Sequence, residues 1–80
     1  MKARVFVTLK PSVLDPQGRT IADALHSMGY TGVGDVRQGK YFELEVDAAS
    51  ADQTRALAAE VADRLLANPV IESYRIEVDG

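Results

Sequence analysis

From Ala3 to Lys10, apolar Ala3, Val5, Val7 and Leu9 alternate with Arg4, Phe6, Thr8 and Lys10. A period of two with β-branched enrichment predicts a half-buried strand, and Phe6 interrupts its polar face. The alternation then stops. The connector Lys10–Gly18 is polar and turn-prone, yet it carries two aliphatic residues, Val13 and Leu14, that favour burial. Asp15-Pro16 reads as a helix N-cap followed by proline at the first helical position. Thr20 with Asp23 offers a competing start, and Gly18 weakens the earlier one. Ile21, Ala24, Leu25 and Met28 recur at i, i+3, i+4 and i+7, the stripe of an amphipathic helix. Arg19 and Asp23 fall on its outer side, and Gly29 suits its C-terminal end.

Val33 to Arg37 predicts a short second strand and Lys40 to Asp47 a third, joined as a hairpin at Gln38-Gly39, where glycine can take positive φ. In the third strand Phe42, Leu44 and Val46 share one face, with Tyr41, Glu43, Glu45 and Asp47 on the other. Ser50 and Gln53 form a capping box ahead of a helix rich in alanine, leucine, glutamate and arginine, running to about Ala67. Leu57, Val61 and Leu65, flanked by Ala58 and Ala62, predict its buried stripe. Asn68-Pro69 ends it. A last strand spans Val70 to Val78, with Tyr74, Ile76 and Val78 opposite Ser73, Arg75 and Glu77. The order β-α-β-β-α-β predicts an α+β, ferredoxin-like sandwich. It has a four-stranded antiparallel sheet, the first and third strands central, and two helices on one face.

Composition narrows this further. Eighty residues make one domain, spanning 1–80. So short a chain buries only about 60–65% of its unfolded surface, and without cysteine neither disulfides nor thiolate metal sites supplement the core. Association with other subunits is the remaining route to stability. The net charge of −3, from 12 acidic and 9 basic residues, argues against a generic nucleic-acid binder. No stretch approaches the roughly 20 apolar residues of a membrane span, and Val5–Leu9 is too short for a signal-peptide core. These features read as a cytoplasmic, soluble protein.

Chemistry is sparse. Ser12, Ser27, Ser50 and Ser73 share a single histidine, His26, with no nucleophile signature around any of them. His26 lies off the Ile21/Leu25/Met28 stripe and reads as a solvated helix residue. One histidine and scattered carboxylates give no metal-ligand spacing. Gly32 and Gly34 precede a predicted strand, so they do not form a phosphate loop. Glu43 and Glu45 share an open sheet face with Arg4, Lys10 and Arg75, which reads as cross-strand charge pairing. Phe6 and Tyr41 fall where RNA-recognition modules of this topology stack bases, but the glutamates beside them oppose that use. A small-molecule-binding regulatory domain of the same topology is the alternative, because such sites leave no short motif.

Several stretches together resemble the PurS family, the small subunit of bacterial phosphoribosylformylglycinamidine synthase. They are Val7–Lys10, Val13–Gly18, Leu25 with Gly29-Tyr30, Val36–Lys40 and Asn68–Glu72. The resemblance implies a subunit with no catalytic residues and no cofactor of its own. Its role would be to let a synthetase and a glutamine amidotransferase subunit associate so that ammonia passes between them. That complex would use ATP and Mg. It also implies homodimers or tetramers. The expected partner-interface residues are Lys10, Val13, Leu14, Asp15, Gln17, Arg37 and Lys40, with Gly18 and Gly39 as backbone requirements. Each has a local alternative: Asp15 as cap, Gln17 as turn polar, and Lys10, Arg37 and Lys40 as solvated charges.

Overall fold

A computed structural model describes residues 1–79. Three strands, β1 (Lys2–Leu9), β2 (Gly39–Glu45) and β3 (Glu72–Asp79), form an antiparallel sheet in the order β2-β1-β3. Helix α1 (Pro16–Ser27) follows β1, and α2 (Ala51–Val61) follows β2. β1 is central, with Val5 opposite Phe42 and Ile76, and Arg4 opposite Glu43 and Glu77. Its alternation is the core in miniature: Ala3, Val5 and Val7 are wholly buried. Val46, Ala58, Ala62 and Ala67 complete the buried cluster, with Phe42, Leu44, Ile76 and Val78 packed around it.

α2 starts as its sequence dictates. The Ser50 hydroxyl accepts from the Gln53 amide at 3.2 Å, and the Gln53 side chain accepts from the Ala49 amide at 3.1 Å. Its buried face is a correction to the expected one. Thr54, Ala58 and Ala62 meet the sheet, while Leu57 and Leu65 are 44% and 80% exposed. Small residues at i, i+4 and i+8 let the helix axis approach the sheet closely, and the larger leucines are turned to the flank. After Val61 the helix widens into a π turn, Ala62–Leu66, closed by the Ala67 amide donating to the Ala62 carbonyl at 2.8 Å. Residues 69–71 then wrap round Asn68, whose carbonyl accepts from Ile71 and Glu72, so β3 begins at Glu72 rather than Val70.

The expected strand Val33–Arg37 is absent, and with it the hairpin and the fourth strand. β2, expected to be central, is therefore an edge. Contacts to α1 and its cap, rather than a ladder, engage the chain at the two ends of this segment. His26 Nε2 lies 2.6 Å from the Val33 carbonyl oxygen, and the Gln38 amide donates to Asp15. Nor do both helices cover one face. α2 packs over β3 and β1, whereas the core cluster includes no residue of α1. α1 buries Gly18 and Ala22 and leaves Ile21 and Met28, on the predicted stripe, exposed. α1 and the 30–38 segment thus form an arm beside the α2–sheet body. The molecule measures 50 × 26 × 14 Å with a radius of gyration of 15.8 Å, against about 12 Å for a compact chain of this length.

Candidate docking site

The arm joins the body through a neck built by the two stretches that the sequence singles out. Where β1 ends, the Lys10 amide donates to the Ile71 carbonyl at 2.9 Å, and Val13 turns back onto the Lys10 carbonyl. Asp15 follows with β-region backbone and caps α1, its Oδ1 accepting from the Gly18 amide at 2.9 Å. Its Oδ2 accepts from the Gln38 amide at 2.8 Å. One buried carboxylate therefore ties the start of α1 to the chain entering β2. The Gln38 amide, then the Gly18 amide and the Arg37 charge hold its pKa below the ordinary carboxylate value.

Arg37 clamps the opposite side, Nη2 donating to the carbonyls of Lys10 at 2.9 Å and Val13 at 3.0 Å. The Gln38 side chain donates to Gln17 Oε1 at 2.8 Å. Lys40 Nζ stands 3.6 Å from Glu72 Oε2 and 3.5 Å from the Leu66 carbonyl, bridging to the entry of β3. The two glycines are needed for contact. A Cβ on Gly18 would lie 2.0 Å from the Val36 carbonyl oxygen, and one on Gly39 would lie 2.5 Å from that of Val7. Gly39 does not use the positive φ expected of a hairpin; among the described residues only Gly29 does, at 94°.

All nine sequence-selected residues therefore gather at one end of the sheet. Asp15, Gln17, Arg37 and Lys40 are engaged within the chain, whereas Leu14 is 73% exposed. Shallow clefts open on either side. One, of about 350 Å³, lies between Pro11–Leu14 and Arg37. The other, of about 190 Å³, lies between Gln17, Gly39, Lys40 and Glu72. The sequence did not disclose the Gln38 amide or the Val36 carbonyl as participants, because backbone groups leave no residue signature. The available clue was Gly18, a poor helix former inside the first turn of α1.

The sheet face away from α2 is self-contained. Phe6 and Tyr41 rings lie 5.1 Å apart, and the Arg75 guanidinium sits 4.2 Å over Phe6. Arg4 pairs with Asp79 at 2.6 Å and Glu77 at 3.3 Å, Lys2 with Glu43 at 3.6 Å, and Arg75 with Glu77. These pairings hold the Arg4 pKa above its ordinary value, the Asp79 bond contributing most. Burial first, then the hydrogen bond to Glu43, raises that of Tyr41. Among the described residues no three His, Cys, Asp or Glu side chains cluster to hold a metal, and no buried side-chain polar atom lacks a partner. Asp15, committed to two amides, is poorly placed to take a proton. The arrangement is suited to presenting a surface.

The model of one family, PurS, phosphoribosylformylglycinamidine (FGAM) synthase, matches residues 2–80. The chain belongs to the PurS family. It is 53% identical over 78 residues to the phosphoribosylformylglycinamidine synthase subunit PurS of Bacillus subtilis, covering 98% of this chain and 92% of that one. PurS of Methanocaldococcus jannaschii superimposes with a TM-score of 0.88 at 37% identity, over 98% of this chain and 94% of the other. A chain in the structure of PurLQS from Thermotoga maritima gives 0.87 at 32% identity, over 95% and 93% respectively. PurS chains are thus subunits of FGAM synthase, and the M. jannaschii protein is one of the subunits of formylglycinamide ribonucleotide amidotransferase in the purine biosynthetic pathway. Among the described residues no helix is long and apolar enough to cross a membrane.

Proposed function

We propose that this chain is the non-catalytic small subunit of FGAM synthase in de novo purine biosynthesis, working in the cytoplasm. It would hold the synthetase and glutamine amidotransferase subunits in register so that ammonia passes between their sites. The observation that carries this reading is its near-full-length likeness to a chain of PurLQS. The neck supports it too. Asp15 and Arg37 spend their polar groups on fixing the backbone, which leaves a rigid end with exposed Leu14 and half-buried Val13. Lys10, Gln17 and Lys40 flank this end as rim contacts, with Gly18 and Gly39 keeping the chains close.

Such a surface has a chemical purpose. Ammonia released at one active site is lost to protonation unless the path to the next is closed to water. ATP and Mg would be used by the synthetase partner, and this chain would bind no cofactor. No observation favours the small-molecule regulatory alternative. The four-stranded ferredoxin-like arrangement is, in this reading, one that the chain completes on assembly with another copy.

The test is reconstitution. The chain alone should show no turnover, and adding it to the other two subunits should restore glutamine-dependent synthesis of formylglycinamidine ribonucleotide. Full activity of those two subunits without it would sink the proposal.

A further inference from the structure

The two clefts beside the neck differ in what they leave unused. In the larger one the charged groups are already committed: Asp15 to two amides, Arg37 to two carbonyls and Arg19 to Asp23. The smaller, of about 190 Å³, keeps unused bonding capacity at two places on its wall. One is the amide pair. Gln38 Nε2 donates to Gln17 Oε1 at 2.8 Å, and among the described residues neither Gln17 Nε2 nor Gln38 Oε1 has a partner. The other is the ion pair. Lys40 Nζ stands 3.6 Å from Glu72 Oε2 and 3.5 Å from the Leu66 carbonyl, so one of its three N–H groups is free. Glu72 is anchored through Oε1, which accepts from the Asn68 amide at 2.7 Å. Its side chain is only 15% exposed, and charge set in a partly desolvated wall binds more strongly than charge in water.

These groups describe a ligand. A third primary amide completes the pair head to tail, its oxygen accepting from Gln17 Nε2 and its nitrogen donating to Gln38 Oε1. An ammonium beside a carboxylate is complemented by the reverse arrangement, the α-carboxylate and α-ammonium of a free amino acid. Leu9, which also lines the cleft, suits the methylenes that join the two ends. The volume lies below the range of drug-sized sites, about 300–1,000 Å³. It excludes a nucleotide and fits a ligand of amino-acid size.

We propose that this cleft binds a free amino acid with a side-chain carboxamide, held by Gln17 and Gln38 at its amide end and by Lys40 and Glu72 at its α-carbon. The class follows from the cleft alone. The choice of L-glutamine as its member rests on the proposed role, since glutamine is the amide donor of that complex. Asp15 preorganises the site: it fixes the backbone of Gln38 and the start of α1, which carries Gln17, before the ligand arrives. Glutamate is disfavoured. Its second carboxylate brings no N–H to the Gln38 oxygen and adds negative charge to a cleft that already holds Asp15 and Glu72.

NMR titration of the chain with L-glutamine tests it. Up to about 20 mM, the side-chain amide signals of Gln17 and Gln38 and the backbone amides of Gly39 and Lys40 should shift saturably, with a Kd on the order of 1 mM. Gln53, at the start of α2, is the internal control and should stay still. L-Glutamate, and N-acetyl-L-glutamine, which lacks the α-ammonium, should bind about fivefold more weakly or worse. Gln17→Leu and Lys40→Met alter exposed side chains, so each variant should keep the parent's spectrum elsewhere while losing affinity by a similar factor. Absence of saturable shifts, an equal response to glutamate, shifts of equal size at Gln53, or folded variants that bind as the parent does would overturn the site. Reconstitution of the synthase is read separately: loss of the site leaves that role standing, and loss of the role removes only the choice of glutamine.

Discussion

Gly18 and Asp15 show how one residue's chemistry is set by a neighbour far away in sequence. Glycine to alanine inside a helix ordinarily gains up to about 1 kcal/mol. Here the new methyl would overlap the Val36 carbonyl, 2.0 Å from the Cβ position, and the sign reverses. Gly18→Ala should destabilise the protein by about 2 kcal/mol in urea unfolding, and a stabilised variant would show that the neck is not closed as described. Asp15 supplies a pH test. Its folded pKa is depressed, chiefly by the Gln38 amide. The stability it contributes is therefore present above its unfolded pKa and lost as pH falls through the folded value. The amide shifts of Gly18 and Gln38, followed by NMR from neutral pH downward, should move together only once the pH has fallen below the ordinary carboxylate range. Asp15→Asn should show no such transition; an identical titration in the variant would place the tie elsewhere.

Elements were legible where their cause is local. The period of two in β1, the Asp15-Pro16 start of α1 and the Ser50/Gln53 box of α2 all sit within a few residues of what they specify. Two elements escaped because their cause is tertiary. Val33–Arg37 has a strand's composition, but Asp15 and His26 claim its neighbouring backbone and no adjacent strand competes. In α2 the hydrophobic pattern selects the larger side chains, whereas close approach to the sheet selects Thr54, Ala58 and Ala62. Asp15, Gln17, Arg37 and Lys40 do converge, although which atoms they hold was invisible without the backbone. The small-residue face makes its own prediction. Ala58→Leu should cost about 2 kcal/mol by overpacking, while Leu57→Ala at the exposed flank should cost less than about 1 kcal/mol in the free chain. Equal costs in denaturant titrations would contradict the orientation of α2.

At the scale of the whole molecule, a body of small aliphatic residues carries an arm that shares none of its core. The largest fully buried side chains are Val5, Val7 and Thr54, a modest store of hydrophobic stabilisation for an 80-residue chain. Rigidity at the neck and apolar surface on the arm make the protein fitted to act through association. The central position of β1 has a consequence in time. Its register sets Lys2 opposite Asp79 and Leu9 opposite Glu72, so the strand made first needs a partner made last. Closing so long a loop is the slow step in sheets of this kind. During synthesis β1 can hold β2, but its other edge stays open until β3 has left the ribosome. The sheet therefore completes only after translation has passed Asp79.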